Sequence, residues 1–394
     1  MRIALVNTAM PLGGTTTATL FLMAGLQQLG VPVKIFSLSR GNPLEHEFAR
    51  LQIPVCCCDD RKLIFEDRLA DVLPELRAFE PSCVIAGLAP PAFEILRYVP
   101  EGVFRIGMLQ DHHPAVYKLA QTYQRFVDHF AAVSSTIKSE MAGKYPEIPC
   151  SYLPYGILLE RGECRRPAAQ QPLRILYFGR LYQIQKQVRM LPEIWRALKQ
   201  QGIPSRWTIL GEGPEESFLR EEMAEGIRSG EIVFSLPIFN REEISRVIGD
   251  HDVFLLCSLH EGLPLALLEA MGHGLVPVCG DISSLANGVI SPDNGFLVAQ
   301  NDPVAYAKAI GGLHHDRALL EQMSAQARET VVQDYTAVAM ARRYVELIEK
   351  YASRETPSPW AATFTPQPPL GMEATWFMAP ALRPLRRLFK RLRT

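Results

Sequence analysis

This chain lacks most of what would set it apart from ordinary globular proteins. No uninterrupted run of about eighteen uncharged apolar residues occurs, so no membrane-spanning helix is expected. The segment Met1-Arg2-Ile3-Ala4-Leu5-Val6-Asn7 has neither a long apolar core nor an export cleavage site. It reads as a first β-strand, and the expected location is the cytoplasm. Charge of one sign is not in excess: the formal net charge is −1, which gives no argument for a nucleic-acid partner. The eight cysteines are scattered, with a Cys56-Cys57-Cys58 triplet and no paired metal spacing. Reduced, buried thiols are the expectation, and no metal. Also missing is the three-glycine dinucleotide fingerprint with its downstream acid.

What is present is a two-part α/β pattern. A chain of 394 residues, 47% hydrophobic and 21% charged, has the length of two domains and a tail. Strands are predicted at 3–7, 32–37, 83–86, 105–109 and 130–133, with helices over 16–29 and 65–79. The pattern resumes with strands at 174–178, 205–210, 231–234, 253–256 and 276–279. Helices are predicted near 188–200, 214–228, 242–249 and 264–272. Such alternation implies two doubly wound parallel sheets facing a cleft, where ligands usually bind. The aperiodic stretch 160–172 reads as the linker. The expected division is 1–160, 161–336, a helix within 337–353, and a Pro-rich linker and basic tail over 354–394. The tail carries Arg383, Arg386, Arg387, Lys390, Arg391 and Arg393 without an acid. Leu382, Leu385, Leu388, Phe389 and Leu392 recur among them at helical spacing. An amphipathic helix on an anionic membrane is one reading, and a solvated extension is the other.

The most informative stretch is Glu261-Gly262-Leu263-Pro264-Leu265-Ala266-Leu267-Leu268-Glu269. Apolar Val253–Leu256 precedes it and the small-residue segment 270–274 follows. It reads as strand, loop and helix start, with Pro264 suited to a first helical turn. A helix start presents unpaired N–H groups and a positive dipole end to an anion. Two carboxylates flanking that site suit a ligand with hydroxyls on both sides of a diphosphate, such as a nucleotide sugar. A general acid and base pair, as in sugar hydrolysis, is the rival use of two carboxylates.

Other loops sit at the ends of predicted strands. Phe178-Gly179-Arg180-Leu181 through Lys186 offers a forked cation and a compact one to phosphate oxygens. Asp111-His112-His113-Pro114 can be a metal site, a sugar contact or an inert polar loop. A metal would need further ligands, and none has suitable spacing, so a sugar or phosphate contact is favoured over a metal. Gly13 and Gly14 in Pro11-Leu12-Gly13-Gly14-Thr15 allow close backbone approach, or serve only the turn. The glycines of Gly211-Glu212-Gly213-Pro214 read as conformational.

Taken together, these motifs resemble glycosyltransferase family 4, retaining enzymes of the GT-B fold. They are the Gly-Gly loop, Gly-Arg-Leu with a following Lys, Gly-x-Gly-Pro, and Glu-Gly-Leu-Pro with a second Glu. The likeness runs over about residues 1–351 and extends to Asp293–Val298 and Leu313–Ala327. The Arg-to-Lys interval is one residue longer here than in many members. The resemblance implies transfer of a sugar from a UDP-, GDP- or ADP-sugar to a glycan, lipid or lipid-linked acceptor, without metal or other cofactor. It implies that Glu269 binds the nucleotide ribose and Glu261 the donor sugar. Amides near Leu263, Leu265 and Ala266 would hold the diphosphate, with Gly262 and Pro264 also in the donor-binding loop. Arg180 and Lys186, beside Gly179, would neutralise it as it leaves. Gly13 and Gly14 would let the first domain close over the donor, and His112 would touch the sugar. It also implies that helix 337–351 crosses back to the first domain. The alternatives are a catalytically silent nucleotide-sugar-binding or scaffold protein on the same fold, or a GT-B epimerase or phosphorylase.

Overall fold

A computed structural model describes residues 1–11, 13–58, 64–87, 89–159, 171–286, 288–352, 358–365 and 370. Leu12, residues 160–170 of the expected linker, and the whole basic tail over 381–393 lie outside the described residues. The chain divides into two compact units. Unit 1 comprises Met1–Pro154 with Ala337–Thr394, and unit 2 comprises Tyr155–Thr336.

Unit 1 holds strands β1 (Ile3–Asn7), β2 (Val33–Ser37), β3 (Val55–Cys57), β4 (Cys83–Ala86), β5 (Phe104–Leu109), β6 (His129–Ala132) and β7 (Cys150–Tyr152). They form one seven-stranded sheet in the order β3-β2-β1-β4-β5-β6-β7, and every recorded pair is parallel. Every residue of β1 and β4 is buried, as parallel strands covered by helices on both faces must be. The edge strands β3 and β7 were not anticipated. Each has only three half-buried residues, too few to display a period. The cysteine triplet supplies β3, and Cys58 just beyond it is buried with Sγ 2.8 Å from Leu38 O.

The helix Ala337–Tyr351 packs on the helix Gly14–Gln28 of the same unit. A Cβ on Gly25 would stand 2.1 Å from Ala337 O, so only glycine allows this crossing. Part of the expected Pro-rich linker is laid on unit 1. Ser358 N donates to Glu101 O at 2.9 Å, and Arg77 donates to Ala361 O and Ala362 O at 2.8 and 2.6 Å. Leu370 N donates to the buried Glu94 carboxylate at 2.6 Å.

Unit 2 holds β8 (Leu173–Phe178), β9 (Ser205–Leu210), β10 (Ile232–Ser235), β11 (Val253–Leu256), β12 (Val276–Gly280) and β13 (Phe296–Val298). The order is β10-β9-β8-β11-β12-β13, again with every recorded pair parallel. This is the doubly wound order whose direction reverses between the first and fourth strands, here β8 and β11. Leu173, Ile175 and Tyr177 share a core with Trp207, Ile209, Leu255 and Tyr306. The helix Met190–Gln200 closes it with Leu191, Ile194, Trp195 and Leu198, an i, i+3, i+4, i+7 stripe. Unit 2 begins at Tyr155, ahead of the expected 161, because Ile157 N bonds Tyr335 O at 2.8 Å and pairs beside Thr336. The single helix expected over 214–228 is two, Glu216–Glu222 and Ala224–Ser229, joined at the buried Met223.

Candidate functional site

The site grows from the reversal point of unit 2. Because β8 and β11 are neighbours, the loops leaving their C-terminal ends meet although far apart in sequence. Arg174 on β8 grips Asp252, just before β11, with Nε–Oδ2 at 3.2 Å and Nη2–Oδ1 at 2.6 Å. That forked pair, with Arg174 N to the same carboxylate at 2.9 Å, holds the two strands in register. Beyond the strands, Leu259 N donates to Gln185 O at 2.9 Å, and Gln185 Nε2 to His260 O at 3.3 Å. The result is a contact between Lys186 Nζ and Glu261 Oε1 at 2.5 Å, with side chains 14% and 9% exposed.

Arg180 lies differently. Its Nη2 is 3.1 Å from Gln185 Oε1 and the residue is exposed. The Tyr177 hydroxyl donates to Arg180 O at 2.8 Å. Burial, with Cys257 and Glu261 nearby, pushes the Tyr177 pKa far above its usual value, so this hydroxyl keeps its proton. Gly179 N bonds Leu210 O at 3.0 Å, and Leu181 N bonds Glu212 O at 2.8 Å. This zips the loop after β8 to the loop after β9. A Cβ on Gly211 would stand 2.0 Å from Gly179 O, so the Gly-x-Gly-Pro turn has a steric task in seating Arg180's loop.

The helix Leu265–Gly272 is buried along nearly its whole length. Pro264 is its cap, with extended backbone, rather than a residue of its first turn as expected. Pro264 O accepts from Leu267 N at 3.1 Å and Leu268 N at 3.4 Å. The amides of Leu265 and Ala266 precede these first bonds, so the helix itself offers them no acceptor. Gly262 and Leu263 are buried on the approach. Glu269, 4% exposed, contacts Arg241 from the helix Arg241–Gly249. Neither Arg241 nor Gln185 was singled out from the sequence. Arg241 had one legible signal: a cation at a helix start, where acids are preferred.

In unit 1, Gly13 caps the helix Gly14–Gln28 with φ 147°, and nothing lies within 4 Å of where its Cβ would stand. His113 caps the helix Pro114–Tyr123, its Nδ1 accepting from Ala115 N at 3.2 Å. His112 Nδ1 is 2.6 Å from the Tyr117 hydroxyl, and its Nε2 is 3.5 Å from Glu140 Oε1. The adjacent histidines thus have separate tasks. Burial raises the Tyr117 pKa, with Glu140 and Asp111 adding to it. Among the described residues no group of three or more His, Cys, Asp or Glu could hold a metal ion. Burial raises the Cys257 thiol to about 12 and Cys279 well above its usual value, so neither is a nucleophile at neutral pH.

Two buried carboxylates, each against a cation, thus bracket a helix start whose first amides have no acceptor within the helix. Comparison with known proteins adds to this geometry. Residues 172–316 match the family model described as glycosyl transferases group 1. A putative colanic acid biosynthesis glycosyltransferase, WcaL of Salmonella typhimurium, is 34% identical over 190 residues, 46% of each chain. The amylovoran biosynthesis glycosyltransferase AmsK of Erwinia amylovora is 33% identical over 193 residues, 48% of this chain and 47% of AmsK. The chain therefore spans about half the length of the curated relatives it matches. The crystal structure of an S. aureus TarM mutant in complex with Fondaparinux, α-GlcNAc-glycerol and UDP superimposes with a TM-score of 0.73. It covers 88% of this chain and 99% of that one at 10% identity. The chain resembles group 1 glycosyl transferases in sequence, and its fold is GT-B.

Proposed function

We propose that the protein is a retaining glycosyltransferase. It moves a sugar from a nucleotide-sugar donor to a hydroxyl of a glycan, lipid or lipid-linked acceptor in polysaccharide biosynthesis. The observation that carries this reading is the buried Lys186–Glu261 contact beside the open amides of Leu265 and Ala266. The names of the curated relatives support the polysaccharide context.

In this reading Glu269 accepts from the nucleotide ribose and Glu261 from donor-sugar hydroxyls. The amides around Leu263, Leu265 and Ala266 hold the diphosphate. Gly179 and Gly262 keep the two loops close to it. As the C1–O bond lengthens, positive charge grows on the sugar ring and negative charge on the departing diphosphate. Arg180, Lys186 and the helix start stabilise that growing negative charge without reorganising, which is the electrostatic share of catalysis. These groups supply the charge, so the proposal needs no metal or cofactor. The acceptor hydroxyl attacks the face the diphosphate leaves. In unit 1, Gly13 and Gly14 are assigned to close backbone approach and His112 to a sugar contact. No helix among the described residues is long and apolar enough to cross a membrane. The proposed location is the cytoplasm, with peripheral attachment through the basic tail.

A thermal-shift screen across UDP-, GDP- and ADP-sugars tests this, since a ligand that binds only the folded state raises its apparent stability. One donor should raise Tm and be slowly hydrolysed, and Glu261→Ala should reduce both effects. If no donor binds or is hydrolysed, and Glu261→Ala changes nothing, the proposal is wrong. Binding without hydrolysis or transfer would instead identify a silent binding protein.

A further inference from the structure

Arg241 has no task in the reading above. It opens the helix Arg241–Gly249 directly after the cap Asn240, whose Oδ1 accepts from Glu243 N at 3.0 Å. Glu242 and Glu243 already fill the first turn with acids, which a helix start favours, whereas it disfavours a cation. The helix therefore has its cap and its charge complement without Arg241. Its side chain nonetheless turns inward, 9% exposed, and its Nη2 bonds Glu269 Oε1, whose side chain is 5% exposed. A buried ion pair adds little net stability over an apolar pair of similar volume, so stability alone does not account for it.

We infer that Arg241 is a positioning residue for the nucleotide's ribose. The guanidinium holds Oε1 of Glu269 and so restrains how the carboxylate turns. No hydrogen bond to Oε2 is made among the described residues, and this oxygen is the one assigned to accept from vicinal ribose hydroxyls. A guanidinium suits this because its donors are planar and rigid, so it sets an orientation as well as a charge. The pair thereby selects ribonucleotides over nucleotides lacking those hydroxyls. The inference rests on the proposed reading of Glu269 as the ribose anchor.

The test is calorimetric titration of the full-length protein with UDP, GDP and ADP, then with the 2′,3′-dideoxy counterpart of the tightest binder. The wild-type protein should favour the ribonucleotide by about tenfold or more, the scale of a hydrogen bond to a charged group. Arg241→Met should cut that preference to about twofold while leaving dideoxynucleotide affinity within about twofold of wild type. Arg241→Met combined with Glu269→Gln should bind the ribonucleotide no more weakly than Glu269→Gln alone, since one residue acts through the other. Arg241→Lys, which keeps the charge but not the planar guanidinium, should retain an intermediate preference. It also serves if Arg241→Met does not fold, as judged by near-UV circular dichroism. A merely structural role would lower both affinities by the same factor and leave the ratio unchanged, which overturns the inference. Nucleotide binding with no ribose preference in the wild type overturns it through Glu269. Absence of any nucleotide binding overturns the functional reading beneath it.

Discussion

Lys186 and Glu261 form a buried ion pair that joins the loop after β8 to the loop after β11. Both were legible as site candidates, because a cation after one strand and a carboxylate after another both face the strand ends. Their direct contact was not, since it depends on Gln185 and on the backbone bonds between the two loops. Arg241 was missed because its partner lies 28 positions away on another helix. The contact has two separable consequences. Lys186→Met removes charge that would stabilise the leaving diphosphate, and kcat should fall by about 10²–10³-fold in a transfer or hydrolysis assay. It also leaves the Glu261 carboxylate buried without this partner, so Tm should fall as well. Adding Glu261→Leu should restore much of Tm but none of the activity. Recovery of activity together with Tm would show that the pair is structural only.

At the scale of elements, the buried strands and amphipathic helices followed from their patterns, and β1, β4, β9 and β11 have the predicted bounds. Short edge strands and the break at Met223 did not, because three residues carry no period and a buried methionine fits either state. His129 marks a joint between elements that only packing creates. It lies on β6, with Nε2 2.9 Å from Ser151 Oγ and its ring 4.8 Å from that of Tyr351, at the end of the helix Ala337–Tyr351. Burial, with Lys350 adding to it, lowers its pKa from 6.5 to about 4. Between those values the unfolded chain binds a proton that the folded chain does not. The contribution of His129 is thus fully present above pH 6.5 and is lost as pH falls toward 4. His251, also lowered chiefly by burial, adds the same sign. Urea midpoints should fall between pH 7 and pH 4.5, and His129→Gln should fall less steeply. An identical slope in the variant would remove His129 from the account.

At the scale of the whole chain, the division into two doubly wound units was legible from one pattern occurring twice. The segment 358–365 was not. Its prolines read as a linker, yet Arg77 and Glu101 hold it on unit 1, and Glu94 holds Leu370. Removing Pro380–Thr394 should weaken binding to phosphatidylglycerol-rich vesicles at low salt while sparing donor hydrolysis. Unchanged sedimentation with vesicles would discard the membrane reading of the tail. By itself the sequence determined the α/β class, the two sheets, and the loop and helix that carry Glu261 and Glu269. Those follow from local periodicity and from the chemistry of short motifs, which need no distant partner. Tertiary structure alone decided which cation meets which carboxylate and which histidine caps a helix. It also decided where Ser358, Ala361, Ala362 and Leu370 are held. Such contacts depend on strand order and on side chains brought together from far apart, and no local pattern encodes a distance between them.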